Sequence, residues 1–183
     1  MATDKQQIDY ICFCNRSGYA QAAQDYIKSV SGDSRYDLKV TLLHSAPEQL
    51  SLSQQTYLEI SAMMRKPREE GAIQVYHCIP DMQKRQEKAG GKTVGFATFE
   101  TFEPPRQWID ILNDNDAVIC PSLFNMKIFK QAGVEVPLHY VPHCVDPAIY
   151  NPNVQPLKRE EGVFTFLSFG TWKKRKGWVQ LLD

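Results

Sequence analysis

IDYICFC (residues 8–14), GYAQAAQDYIKSV (18–30) and YDLKVTLL (36–43) decide the fold of this chain. The first and third are short apolar runs of strand length, and the second carries a helical pattern. Together they make a β-α-β opening. The same alternation continues outward: a helical candidate at 51–65, then AIQVYHCI (72–79), TVGFAT (93–98), RQWIDILND (106–114), AVIC (117–120), LFNMKIFKQAG (123–133) and PLHYVP (137–142). Strands interleaved with helices predict an α/β domain whose parallel sheet is covered on both faces.

Turn chemistry supports these boundaries. Pro121-Ser122 sits where a strand hands over to a helix, with Ser122 as N-cap, and Gly133 follows the last helical residues as a C′ glycine. After Pro142 the chain reads HCVDPAIYNPNVQPLKREEG, with Pro147, Pro152 and Pro156 spaced through polar residues. That composition predicts a domain over residues 1–150 and a linker over 151–162. VFTFLSFG (163–170) then reads as a new strand and TWKKRKGWVQLLD as a loop entering a helix. One strand and a partial helix cannot bury a core, so 163–183 is expected to be the start of a second, truncated domain.

The chain has 183 residues, 21 basic and 21 acidic, for a formal net charge of +0. No general field draws it to nucleic acid or anionic lipid. Hydrophobic residues make up 43%, too many for a disordered chain, while a mean hydropathy of −0.40 and the lack of a long apolar run exclude a membrane span. MATDKQQIDYICFCN lacks the basic and long apolar regions of a secretory signal, so a cytoplasmic location is expected. The five cysteines, Cys12, Cys14, Cys78, Cys120 and Cys144, read as reduced thiols rather than a metal site, because Cys12-x-Cys14 on a strand has no zinc spacing.

Candidate functional residues fall where strands give way to loops. Ser17, Gly18 and Tyr19 follow the first strand and open a helix, where backbone N–H groups can face an anion or a ligand. The pattern is not G-x-G-x-x-G, and His44 and Ser45 stand where a dinucleotide fold expects an acid after its second strand, which disfavours NAD. Thr98, Glu100 and Thr101 lie in the loop after the fourth strand, where a carboxylate can accept from sugar hydroxyls, act as a base, or neutralise the helix start at Pro104-Pro105. His77 ends its strand as either a structural group or a ligand contact, the former weighing more. His143 and Asp146 fit a turn. The basic run Lys173-Lys174-Arg175-Lys176 lies in a βα loop, where lysine serves as a point charge on a diphosphate.

With these residues in view, the chain resembles the N-terminal half of GT-B glycosyltransferases of the large family-four type. SGYAQAAQDYI, YHCIPD, GFATFETFEPPRQWIDILNDNDAVICPSLFNMKIFKQAGV, PLHYVPHCVDPAIYNP and FLSFGTWKKRKGW carry the resemblance, the DAVICPS block and the VPHCVDPAIYNP linker most of all. It implies a Rossmann-like, doubly wound acceptor-side domain followed by a stub of the donor domain. The implied activity is transfer of a sugar from a nucleotide-sugar donor to a glycan, lipid or protein acceptor, with retention and without a metal ion or other cofactor. Carried over by position, Gly18 with Ser17 and Tyr19 belongs to the loop facing donor and acceptor. Thr98 and Glu100 fall at acceptor-contacting or catalytic positions, and Lys176 with Arg175 at the leaving diphosphate.

Three positions depart from the family pattern. The paired glutamates that grip the donor would fall beyond Asp183, Thr171 stands where relatives carry an arginine, and Cys144 replaces the linker glycine. The enzyme reading therefore needs the second domain, and the chain alone is expected to be inactive. The alternative is a non-catalytic GT-B-like binding module that engages a partner chain in trans. Phe164, Phe166, Trp172 and Trp178 predict an apolar face and self-association.

Overall fold

The computed structural model describes residues 5–15, 17–43, 54–156, 161–168, 170 and 174–182. Among its described residues the first unit has six strands and five helices: β1 (Gln6–Cys12), α1 (Gly18–Ser31), β2 (Tyr36–Leu42), α2 (Gln54–Met64), β3 (Ile73–His77), α3 (Pro80–Gln83), β4 (Thr93–Phe96), α4 (Arg106–Asn113), β5 (Ala117–Cys120), α5 (Leu123–Ala132) and β6 (Leu138–Tyr140). All strands are parallel and lie in the order β2-β1-β3-β4-β5-β6. The expected Rossmann-like, doubly wound α/β architecture is therefore observed.

β1 shows why helices cover both faces. Its side chains alternate, yet Tyr10, Ile11 and Cys12 are all buried. On one face Tyr10 and Cys12 pack with Ala23, Tyr26 and Ile27 of α1 and Ile60 of α2. On the other, Ile11 packs with Tyr76, Cys78 and Met82, while Val118 and Cys120 pack against α4 and α5.

The helix ends follow local chemistry. Ser17 Oγ accepts from the N–H of Ala20 at the start of α1, and Ser122 Oγ accepts from the N–H of Asn125 at the start of α5. Gly133 closes α5 at φ 104°, a left-handed conformation that costs glycine little. Sequence reading found every strand of the sheet within a few residues but missed α3. That helix is one turn long and opens the polar stretch that leads to β4. Gln74 pins this stretch to β3, donating to Glu87 O and accepting from the Ala89 N–H. Gly91 lies so close to the backbone of Gly71 and Ala72 that a Cβ would fall 2.3 Å from Ala72 O.

The chain divides into two compact units, Met1–Pro147 and Ala148–Asp183, each described by itself. Of the strand expected over 163–170, the described residues 163–168 carry none, and Phe164 and Phe166 are 82% and 87% exposed; Phe169 lies outside the described residues. Strand backbone needs a partner edge to satisfy its N–H and C=O groups. The second unit contains a 3-10 turn (Lys174–Lys176) and α6 (Trp178–Leu182), an exposed helix. No described helix is long and apolar enough to cross a membrane.

One buried charge sits inside β1. Asp9, fully buried, accepts from Arg68 Nε at 2.5 Å and from Thr41 Oγ1 at 2.7 Å. Arg68→Ala strands that carboxylate, so urea unfolding at pH 7 should show a loss of about 3–5 kcal/mol. A loss below about 1 kcal/mol would show that the pair does not hold the strand.

Candidate functional site

A parallel sheet delivers every strand-to-helix loop to one edge, and that edge opens where adjacent loops leave for opposite faces. In this strand order the opening lies between β1 and β3. The loop after β1 enters α1 on one face, and the loop after β3 enters α3 on the other.

At the first of these loops Asn15 Oδ1 accepts from the Ser17 N–H, and Ser17 in turn caps α1. Ser17 and Gly18 are exposed. A Cβ on Gly18 would meet no described atom within 4 Å, and its φ is not in the left-handed region. Neither the turn nor the packing demands glycine there, and among the described residues space is left above the helix N-terminus.

Tyr19 reaches across to the β4 loop, where its hydroxyl donates to Thr98 O at 3.3 Å. Its ring lies edge-on to His77, 5.7 Å between centroids. His77 pairs in register with Cys12 and stacks on Phe96 at 3.9 Å and 23°. Tyr10 and Tyr26 present their edges to it at 5.8 and 5.7 Å. The His143 ring lies 6.0 Å from Phe96, nearly parallel to it, and Tyr26 Oη contacts both Val141 O and Pro142 O, holding that segment against α1.

His77 is therefore half structural. Its Nδ1 shares a 2.7 Å hydrogen bond with the Tyr10 hydroxyl, whereas Nε2 is buried without a partner. Burial, with the nearby His143 as a second cause, lowers the His77 pKa to about 3, so the ring is neutral at physiological pH. Burial also lowers His143, raises Tyr10 and Tyr19, and pushes Tyr26 up to about 12. All five cysteines are free, and burial pushes Cys78 and Cys120 to about 12. Cys12 and Cys14 hydrogen-bond each other, which raises Cys12 and lowers Cys14. The cluster thus offers neutral hydrogen-bonding groups and aromatic surface. It offers no strong base.

The β4 loop is held from α5, where Asn125 Nδ2 donates to Phe99 O at 2.6 Å. Glu100 is exposed on that loop, and its charge is felt at Tyr19. Ser17, Gly18, Tyr19, His77, Thr98 and Glu100 therefore share one sheet edge, with Tyr19 joining three of the loops. Lys176 lies exposed on the 3-10 turn of the second unit, and the side chain of Arg175 and residues 171–173 lie outside the described residues. Among the described residues, no three His, Cys, Asp or Glu side chains are placed to hold a metal ion. Sequence reading missed the aromatic wall of Tyr10, Tyr26 and Phe96 and gave His143 to a turn. These residues read as ordinary strand and helix core, and only the sheet register brings them together.

The depressed His77 pKa makes stability depend on pH. An unfolded chain protonates this histidine near pH 6.5, whereas the folded chain resists until about pH 3. The unfolded state thus binds more protons in that window, and stability falls with acidification by up to about 1.4 kcal/mol per pH unit for this one group. Urea unfolding at pH 7 and pH 5 should show the fall, and a Tyr10→Phe/His77→Phe double variant should flatten it, His143 supplying what slope remains. An equal slope in both proteins would remove His77 as the cause. No protein-family model matches the chain, and no curated protein matches it.

Proposed function

We propose that the first unit is the acceptor-side domain of a GT-B glycosyltransferase, completed by a donor domain of which residues 163–183 would be the beginning, after a linker over 151–162. The observation that carries the reading is the meeting of Tyr19, His77 and Thr98 at the opening of a parallel sheet, next to an exposed Ser17-Gly18 helix start. Neutral donors and acceptors beside aromatic faces suit sugar hydroxyls and apolar ring faces. The unpartnered Nε2 of His77 is a group that an acceptor hydroxyl could satisfy.

In this reading the chemistry is displacement at the anomeric carbon of a nucleotide-sugar. The leaving diphosphate is stabilised by cationic groups, Lys176 and Arg175 among them, and not by a strong protein nucleophile. The neutral, low-pKa His77 fits a positioning role for an acceptor hydroxyl rather than proton abstraction. Glu100 is the candidate catalytic carboxylate.

Titration calorimetry of the chain with nucleotide-sugars, nucleoside diphosphates and neutral oligosaccharides tests this. Binding of a nucleotide-sugar weakened at least tenfold by Lys176→Ala supports the donor assignment. Binding of an oligosaccharide weakened at least tenfold by Gly18→Trp supports the acceptor assignment. Silence across the panel rejects the glycosyltransferase reading for this chain and favours a binding module that acts through a partner protein.

A further inference from the structure

The opposite face of the sheet holds a second site, independent of the carboxyl-edge cluster. Tyr76 neighbours His77 on β3 and so faces the other way. There it lines a cavity of about 280 Å³ with Gln83, Lys84, Lys88, Asp114 and Asn115. Gly95 makes room for this arrangement, since a Cβ on it would fall 3.2 Å from Asn115 Nδ2 and 3.3 Å from Leu112 Cδ2.

The hydrogen bonds fix which atom of Gln83 is left over. Asn115 Nδ2 donates to Ile111 O at 3.0 Å and Leu112 O at 3.3 Å, so it must be the nitrogen. What faces it at 3.1 Å must then be the oxygen of Gln83. That leaves Gln83 Nε2, with two N–H donors, buried without a partner in a side chain only 6% exposed. Buried donors in that state are rare in folded chains and await an acceptor.

The rest of the wall adds donors and positive charge. Lys84 and Lys88 are exposed at the rim, where Lys88 Nζ donates to Asp114 O at 3.4 Å, and the one carboxylate on the wall is that of Asp114. Two ammonium groups against one carboxylate leave a single positive charge, which suits a monoanion over a phosphate dianion. We propose that this cavity binds a small organic acid, its carboxylate accepting from Gln83 Nε2 and its charge balanced by Lys84 and Lys88. The volume, just below the roughly 300–1,000 Å³ of drug-sized sites, restricts the ligand to a small molecule.

The test is a titration of the ¹⁵N-labelled full chain with sodium propionate, read by NMR. Sodium chloride at matched ionic strength and inorganic phosphate are parallel arms. Saturable shifts of the Gln83 side-chain amide and of the Lys84 and Asn115 backbone N–H signals are expected with propionate. Gln83→Leu, which leaves Asn115 its two backbone acceptors, and Lys84→Ala/Lys88→Ala, which alters only exposed side chains, should each weaken binding at least tenfold. Shifts no larger than with chloride, or binding unchanged in the lysine double variant, would overturn the proposal. Saturation by phosphate without saturation by propionate would overturn the carboxylate assignment.

Discussion

The parallel pairing of β1 with β3 is the constraint on which the molecule turns. It sets Cys12 opposite His77 and brings the β1 and β3 loops out at one edge. Since β1 has no solvent-facing side, its alternate residues must be apolar or paired on both faces. Gln7 and Asp9 are the paired ones, Gln7 bonding Pro67 O and the Glu69 N–H and Asp9 accepting from Arg68 and Thr41. The α helices are then committed, α1 and α2 to one face and α3 to α5 to the other. Among the described residues, the edge between the diverging β1 and β3 loops is what remains open.

At that edge the surroundings of His77 decide its chemistry. Stacked on Phe96 and ringed by three tyrosines, the imidazole cannot carry a charge cheaply, which keeps it neutral far below its ordinary pKa. A neutral ring with one nitrogen committed to Tyr10 and the other unpaired is a rigid, single-purpose hydrogen-bonding group. Such a group selects and orients. It does not drive proton transfer, and the buried tyrosines and the Cys78 and Cys120 thiols, all raised, do not supply a base in its place. In the proposed transferase that division leaves the bond-breaking work to the leaving group and to the donor side.

Among the described residues, two buried side-chain nitrogens lack a partner, and they lie on opposite faces of the sheet. His77 Nε2 belongs to the α1 face and Gln83 Nε2 to the α3 and α4 face. Each stands beside a polar side chain that fixes its other end, Tyr10 for one and Asn115 for the other. Side chains anchored in this way cannot rotate to find another partner, so each holds an unmet donor or acceptor in a set position.

What the sequence determined by itself was the order of strands and helices, the caps at Ser122 and Gly133, and the loops that carry Ser17 to Tyr19, Thr98 and Glu100. All of these are local: an apolar run, a hydroxyl before a helix and a glycine after it act within a few residues. Tertiary structure alone decided that Tyr19 meets Thr98, that Phe96 stacks on His77, and that Gln83 faces Asn115. Those contacts join residues 79, 19 and 32 positions apart, and their partners follow from sheet register and helix placement rather than from any local pattern. The same holds for residues 163–168, whose strand composition alone does not make them a strand.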